Sequence, residues 1–483
     1  MSKILTDSEL EWGMSSKPAA DRVVSLTSQP EPSAGMGPTS MDVGRGAPAA
    51  VPRFREVPPS NETSELERHR RHARFHERLL HSHRVQLLLG LLATVGVPAV
   101  FSWRWGFWHQ ASQAQWFTLI AAASAYLVAV VAVQNLARLP RTQASLLVMP
   151  LVTVSYGTAW LVLGLLGIEF LGTLLLGSYL TAMVLFTIGY LVSSPYRRLR
   201  FAVVPHGKAS ELCQDPRVDW HFLEAPELEG IQVDGVVADL RAGLSEPWQR
   251  FLADCTLHRI PVHHATSVFE QVTGRVYLHG NRLGSMQPDE HYEVVKRCLD
   301  VLGTLLIMPV ALPLMAVTAL AIRLESPGAA LFNQPRMGLH CRPFTVYKFR
   351  SMYVDQQGGG FTREGHDPRI TRVGRVIRKY RIDELPQLFN VLKGDMSLIG
   401  PRPESMDLSH WYRDDVPFFH YRHVVRPGIS GWAQVEQGYA AEVDGMCRKL
   451  EYDFYYIKHF SFWLDVLIVI RTIRTILTGF GSR

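Results

Sequence analysis

Residues 381–404 read RIDELPQLFNVLKGDMSLIGPRPE and set two adjacent acids, Asp383 and Glu384, at the head of an apolar segment. Carboxylates beside a buried apolar face must be solvated, paired with cations or bound to metal. Cations are close at hand in the chain. DPRITRVGRVIRKY (367–380) supplies Arg372, Arg375, Arg378 and Lys379, and PRMGLHCRPFTVYKFRSM (335–352) supplies Arg336, Lys348 and Arg350. Arg375, Arg378 and Lys379, three and four apart on an expected helix, share one face. The acid pair falls near a helix start, where the dipole favours negative charge, whether of a side chain or of a bound phosphate. Downstream, GPRP fixes Arg402 between two prolines, a rigid mount for a guanidinium that forks onto phosphate oxygens. Cations for phosphates and acids for a divalent metal are the ingredients of phosphoryl transfer. Mutual pairing on a solvated face explains any one of these arginines equally well, but not the ensemble. The chain has no P-loop, GxSxG, HExxH or kinase signature.

The 483 residues leave room for two or three domains, and a hydrophobic share of 47% points to a membrane-embedded fraction. The net charge is +6, yet the basic residues gather beside apolar runs and around the acid pair, with no aromatic-interleaved array of the kind that binds nucleic acid. A lipid bilayer and phosphorylated substrates fit that distribution. The five cysteines are scattered and form no CxxC pair, which argues against a disulfide framework or a zinc cage.

Residues 1–64 are rich in Ser, Pro, Gly and Ala and read as a disordered tail; no apolar core of a signal peptide follows the first charges. ELERHRRHARFHERLLHSHR (65–84) reads as a basic juxtamembrane helix. Four apolar runs follow, about 85–102, 116–135, 145–165 and 170–192, each near the length that spans a hydrocarbon core. Arginines precede the first, sit between the second and third (Arg138, Arg141) and follow the fourth, so the positive-inside rule places the tail and everything after Tyr196 in the cytoplasm. Trp103, Trp105, Trp108 and Trp116 would mark the outer interface. Short β-rich runs alternate with helical patterns up to residue 290, which predicts a small Rossmann-like α/β domain. Its first turn, VVPHGKASEL, lacks GxGxxG, so a structural or regulatory module is the better reading than a dinucleotide site.

KRCLDVLGTLLIMPVALPLMAVTALAIRLE (296–325) is as long as a span but broken by Pro309 and Pro313, each of which removes a backbone donor. If it crosses, the acid pair lies outside; if it bends and returns, both basic flanks stay in the cytoplasm. A bent helix in lipid leaves carbonyls unpaired, for which packing against the domain that follows or a nearby hydroxyl such as Thr304 or Thr318 would have to compensate.

KFRSM (348–352), RKYRIDELPQLFNVLKGDMSLIGPRPE (378–404), RPGISGWAQV (426–435) and LEYDFYYIKHFSFWLDVLIVIRTI (450–473) closely resemble the bacterial sugar transferases, the monotopic phosphoglycosyl transferases, over residues 291–483. The spans and α/β module ahead of them resemble the large polyprenyl-phosphate hexose-1-phosphate transferase branch. The resemblance implies an architecture: tail 1–64, basic helix 65–84, four-helix transmembrane region 85–195, α/β module 196–290, re-entrant helix 291–325 and mixed α/β catalytic domain 326–483. It implies an enzyme of the bacterial inner membrane, catalytic domain cytoplasmic, that passes a sugar 1-phosphate from a UDP-sugar, UDP-glucose or UDP-galactose in this branch with N-acetyl sugars left open, to undecaprenyl phosphate and releases UMP. This is the first membrane step of exopolysaccharide, capsule or O-antigen synthesis. Asp383 matches the family nucleophile, which carries the phosphosugar covalently, and Glu384 its partner; the two would hold Mg²⁺. Lys348, Arg350, Arg378 and Arg402 match substrate-binding cations, and Pro313, with Pro309, the break in the re-entrant helix. Leu312 stands where relatives often have Ser, and VEQGY (435–439) where many carry Asn-Gly. An inactive membrane-tethered scaffold or ligand sensor is the alternative, and the sequence leaves oligomeric state open, a homo-oligomer included.

Overall fold

The structure, a computed structural model, describes residues 83–103, 112–142, 144–193, 198–228, 230–278, 287–354, 367–437 and 443–478. The expected tail, nearly all of the basic helix, Trp105, Trp108 and residues 355–366 lie outside the described residues.

The first apolar run forms α1 (His83–Leu91) and α2 (Val97–Trp103), joined by a π turn at Leu92–Gly96. Helix α3 (Gln113–Ala137) starts on a capping box in which Ser112 and Gln115 satisfy each other's backbone N–H. Helices α4 (Ala144–Leu165) and α5 (Gly172–Ser193) follow. Ala122, Ala125 and Ala129 of α3 pack with Val148 and Val152 of α4 and Ala182 of α5, since small side chains let helices approach closely without a hydrophobic drive between them. Their outward residues, Val128, Val131, Leu161, Leu180 and Val184 among them, are apolar and exposed, as lipid contact requires. Among the described residues four helices are long and apolar enough to cross a membrane: Gln113–Ala137, Leu147–Leu165, Gly172–Gly189 and Glu290–Glu325. The first expected span is represented by a shorter apolar helix, Leu87–Phe101.

Next comes a four-stranded parallel sheet: β1 (Arg200–Val203), α6 (Ala209–Leu212), β2 (Asp219–Phe222), β3 (Gly235–Ala238), α7 (Glu246–Leu257), β4 (Val262–His264) and α8 (Ala265–Thr273). The strand order is β2-β1-β3-β4. Alternation sends Ala202, Val236 and Ala238 toward Trp248 and Phe251 of α7, and Phe201, Val203 and Val237 toward α6 and α8, so both faces are covered.

Helix α9 (Glu290–Glu325) starts at Asp289, whose carboxylate accepts from the His291 and Tyr292 amides, and runs unbroken through Pro309 and Pro313. Its buried residues Lys296, Asp300, Thr304, Met308, Ala311, Met315, Thr318 and Ile322 form one stripe from end to end, while Leu302, Leu306, Val310, Val317 and Leu320 are exposed. The two threonines do not do what their positions suggested: Thr304 donates to the Asp300 carbonyl and Thr318 to that of Leu314, and neither reaches the Leu305 or Pro309 carbonyl that the prolines free.

The remaining chain forms the antiparallel hairpin β5 (Leu331–Met337) and β6 (Pro343–Phe349), then α10 (Arg372–Lys379), α11 (Gln387–Lys393), β7 (Ser397–Ile399), α12 (Met406–Asp415), β8 (Gly428–Ser430, parallel to β7), α13 (Trp432–Glu436), α14 (Val443–Lys458) and α15 (Phe462–Thr478). Its core of Tyr412, Phe419, Trp432, Phe454, Tyr456 and Leu464 also takes in Leu136 and Leu147 at the facing ends of α3 and α4. The loop between those helices is tied in as well: Arg141 lies 2.9 Å from Glu436 and donates to the Tyr452 hydroxyl at 2.7 Å. Gly400 and Gly428 let the GPRP segment lie backbone to backbone on β8, since a Cβ on Gly428 would come within 2.0 Å of the Gly400 nitrogen.

Candidate active site

The acid pair sits on a short 3-10 turn, Ile382–Glu384, between α10 and α11. Arg381 enters it in the left-handed region at φ +53°, and Pro386, whose fixed φ suits a helix start, leads into α11. Ile382 and Leu385 of this turn pack with Met308, Ala311 and Met315, so the acids rest over the proline-containing middle of α9.

Glu384 is buried and Asp383 half-buried. Arg402 donates to Glu384 Oε1 at 2.7 Å, Lys348 Nζ lies 3.5 Å from the same oxygen, and Arg381 lies 3.6 Å from Oε2. Burial opposes the Glu384 charge, but Arg402, Lys348 and Arg381 together overcome it and hold the carboxyl far below its usual range. Asp383 goes the other way. Burial and the Glu384 charge push its carboxyl up, against the pull of Lys348, Arg402 and Arg378. Burial also pushes the Lys348 ammonium down to about 8, with Glu384 opposing. The pair is thus split by environment into an acid whose charge is held by cations and a second carboxylate that makes no hydrogen bond or ion pair among the described residues.

Further residues hold these in place. Arg402 is fixed through its backbone: Arg422 donates to its carbonyl at 2.9 Å, and Arg336 donates to the carbonyl of Pro403 at 2.6 Å. Arg422 is itself paired with Asp453 at 2.7 Å and Glu404 at 3.5 Å, and Lys449 completes the group on Glu404. Burial works against the Glu404 charge, yet Lys449 and Arg422 hold its carboxyl down to about 2.

Of the residues expected at the site, Asp383, Glu384, Lys348 and Arg402 are brought together, and Arg378 stands near enough for its charge to act on Asp383. Arg350 is placed elsewhere: it donates to the Ser326 and Pro327 carbonyls and the Ser326 hydroxyl at the end of α9. Pro309 and Pro313 lie within α9 and are exposed, off the buried stripe that packs under the turn. Reading the sequence missed Arg381 and the Arg422–Glu404–Lys449–Asp453 group. Glu404 closes the GPRPE run, and Lys449 and Asp453 stand four apart on α14, but nothing local joins them.

Lys348, Arg336, Arg378, Arg381 and Arg402 surround two acids, so the site suits an anion. Among the described residues no group of three or more His, Cys, Asp or Glu stands ready to hold a metal ion. The residues do fit Mg²⁺ arriving on a diphosphate, for which one protein carboxylate would suffice beside the phosphates. Asp383 has the open lone pairs for it; those of Glu384 face cations.

The model of a family described as bacterial sugar transferase matches residues 291–479. A UDP-N-acetylgalactosamine-undecaprenyl-phosphate N-acetylgalactosaminephosphotransferase from Aeromonas hydrophila is 46% identical over 420 residues, 86% of this chain and 99% of that relative. An undecaprenyl-phosphate glucose phosphotransferase from Komagataeibacter xylinus is 44% identical over 186 residues, 37% of this chain and 35% of its own. A UDP-glucose:undecaprenyl-phosphate glucose-1-phosphate transferase from Caulobacter vibrioides is 42% identical over 200 residues, 41% of this chain and 75% of its own.

Proposed function

Because the chain belongs to the bacterial sugar transferase family, we propose that it transfers a sugar 1-phosphate from a UDP-sugar to undecaprenyl phosphate and releases UMP, as the first membrane step of a surface polysaccharide. The observation that carries this reading is the division of labour between the acids: Glu384 locks Arg402 and Lys348 into a phosphate cradle, and Asp383 is left unpaired beside it.

In the first displacement an Asp383 carboxylate oxygen attacks the sugar-proximal phosphorus. The bond from that phosphorus to the oxygen bridging the two phosphates breaks, and UMP leaves with the electron pair. In the second, a phosphate oxygen of undecaprenyl phosphate attacks the same phosphorus and the carboxylate departs unchanged. The sugar's own carbon–oxygen bond is never touched, so its anomeric configuration is kept. Arg402, Lys348 and Arg378 neutralise the diphosphate so that an anionic carboxylate can approach. Mg²⁺, held by Asp383 and the donor's phosphate oxygens, would supply further neutralisation of that charge.

For the sugar, the comparison favours N-acetylgalactosamine over glucose or galactose, since the relative named for it matches 86% of this chain and the glucose transferases 37% and 41%. Purified protein with undecaprenyl phosphate and Mg²⁺, offered UDP-N-acetylgalactosamine, UDP-glucose and UDP-galactose, should release UMP fastest from the first. Release from none would favour an inactive scaffold or sensor.

Catalysis is placed on the cytoplasmic face of the inner membrane, where UDP-sugars are made, with α9 entering and leaving on that face. Two features support this. Both ends of α9 are held by one folded body, Lys296 by Asp465 at 2.7 Å and Glu325 by the Arg372 and Val373 amides at 2.6 and 2.9 Å. The basic loop 138–142, cytoplasmic by the positive-inside rule, touches that same body through Arg141.

A further inference from the structure

One buried amide beside the acid pair has no partner. Glu384, Gln387 and Val391 recur at i, i+3 and i+7 through the 3-10 turn and α11, and so share a face. That face lies against β6: Glu384 meets Lys348, and Val391 clusters with Val346, two residues earlier on the same side of the strand. Gln387 is therefore enclosed between them, on the side of the Lys348–Glu384 pair. It is 3% exposed, and its Nε2 has no hydrogen-bond partner among the described residues.

Asn390, also enclosed against β6, shows what a structural amide does here. Its Nδ2 donates to the Thr345 carbonyl at 2.7 Å and its Oδ1 accepts from the Tyr347 amide at 3.1 Å, which completes the strand's own bonding. Gln387 has no such task. An enclosed donor left unpaired destabilises the folded chain, so its retention at the edge of a phosphate cradle calls for a partner that arrives. Phosphoryl oxygens accept hydrogen bonds, and the cradle's cations would bring them there.

We propose that Gln387 is a donor-binding residue: its amide nitrogen donates to a phosphoryl oxygen of the nucleotide diphosphate when that group lies against Asp383. This rests on the reading of the site given above. It predicts that Gln387 makes the folded chain no more stable by itself and acts only once substrate is present.

Gln387→Leu keeps the volume and removes the donor. Without ligand its Tm should equal or exceed that of the unchanged protein, and the Tm rise on adding UDP with Mg²⁺ should shrink. Its kcat/KM for UMP release should fall about 100-fold, the loss expected of one aimed donor. A variant with an undiminished UDP-induced Tm rise, or with kcat/KM within about twofold, would overturn the proposal. If Gln387→Leu folds poorly, Gln387→Glu decides. It has the same shape with a negative charge, so a UDP-induced Tm rise equal to that of the unchanged protein counts against the proposal, and its loss counts for it. Should the unchanged protein release no UMP from any donor, the proposed reaction fails while the UDP-induced shift still reports on Gln387.

Discussion

Arg422, only 1% exposed, donates from Nη2 to the carbonyl oxygen of Arg402 at 2.9 Å, while the Arg402 side chain reaches Glu384 at 2.7 Å. A buried cation thus sets the backbone of the one that pairs with Glu384. Its own charge is met by Asp453 and Glu404. Arg422→Met would leave Asp453 enclosed without its cation, a loss on the order of 3–5 kcal/mol, and would free the Arg402 loop. Denaturant unfolding of the solubilised protein should show that loss, and UMP release should fall further than stability alone accounts for. Arg422→Lys, which keeps the charge, should recover stability better than rate, since one ammonium cannot serve Asp453, Glu404 and the Arg402 carbonyl together.

The pH profile follows from the split acids. In the proposed reaction Asp383 can attack only when ionised, and burial with the neighbouring Glu384 raises its carboxyl. The rate should therefore fall as pH drops through a value above the ordinary carboxylate range. Glu384, held far below its usual range, stays ionised throughout and contributes no limb. On the alkaline side Lys348, pushed down to about 8, loses its charge and weakens the cradle. A plot of kcat/KM against pH should be bell-shaped, and Lys348→Arg should move the alkaline limb upward without moving the acid one. An alkaline limb unchanged by that substitution would exclude Lys348 as its source.

Asp383→Asn and Glu384→Gln should part company. Asparagine removes a carboxylate whose charge is disfavoured where it stands, so Tm should hold or rise while UMP release drops by about three orders of magnitude or more. Glutamine at 384 leaves Arg402, Lys348 and Arg381 facing one another without a counter-charge, so stability and rate should fall together. With the acceptor lipid withheld, mass spectrometry should find a sugar-phosphate adduct on the peptide containing Asp383. Turnover persisting in the Asp383→Asn variant would remove that residue from the role of nucleophile.

The contrast between Lys348 and Arg350 shows how far the chain order could be read. Both belong to KFRSM, and both read as cations for phosphate. Strand β6 ends at Phe349, after which the Arg350 amide pairs with the Ala330 carbonyl and its guanidinium turns to the end of α9. Proximity in sequence fixed which residues are present but not which way the chain leaves the strand. The acid pair and Arg402 were legible because their chemistry is unusual within a short apolar window. Arg422, Glu404, Lys449 and Asp453 were not, because each alone reads as ordinary surface charge and only the tertiary fold brings them together. In the membrane part, apolar length predicted α3, α4 and α5 well. The first run, 85–102, falls within the continuous helical stretch His83–Trp103, of which Leu87–Phe101 is the apolar part.

The arrangement of α9 makes the sharpest test. At about 1.5 Å per residue its 36 residues extend about 54 Å, beyond the roughly 30 Å of a hydrocarbon core, so length alone permits a crossing. Burial argues otherwise. The stripe from Lys296 to Ile322 stays against the catalytic domain, which a spanning helix could manage only by drawing that domain into lipid. Single cysteines at Glu290 and Ala329, both exposed, can be placed in a background with Cys298 and Cys341 changed to serine. In intact cells both should resist an impermeant thiol reagent and react after permeabilisation. Changing Pro309 and Pro313 to leucine restores two backbone donors and favours a straight helix, so labelling at 329 should rise and UMP release fall. Labelling at 329 alone, with the prolines in place, would mean that α9 crosses the bilayer and that the catalytic domain lies outside.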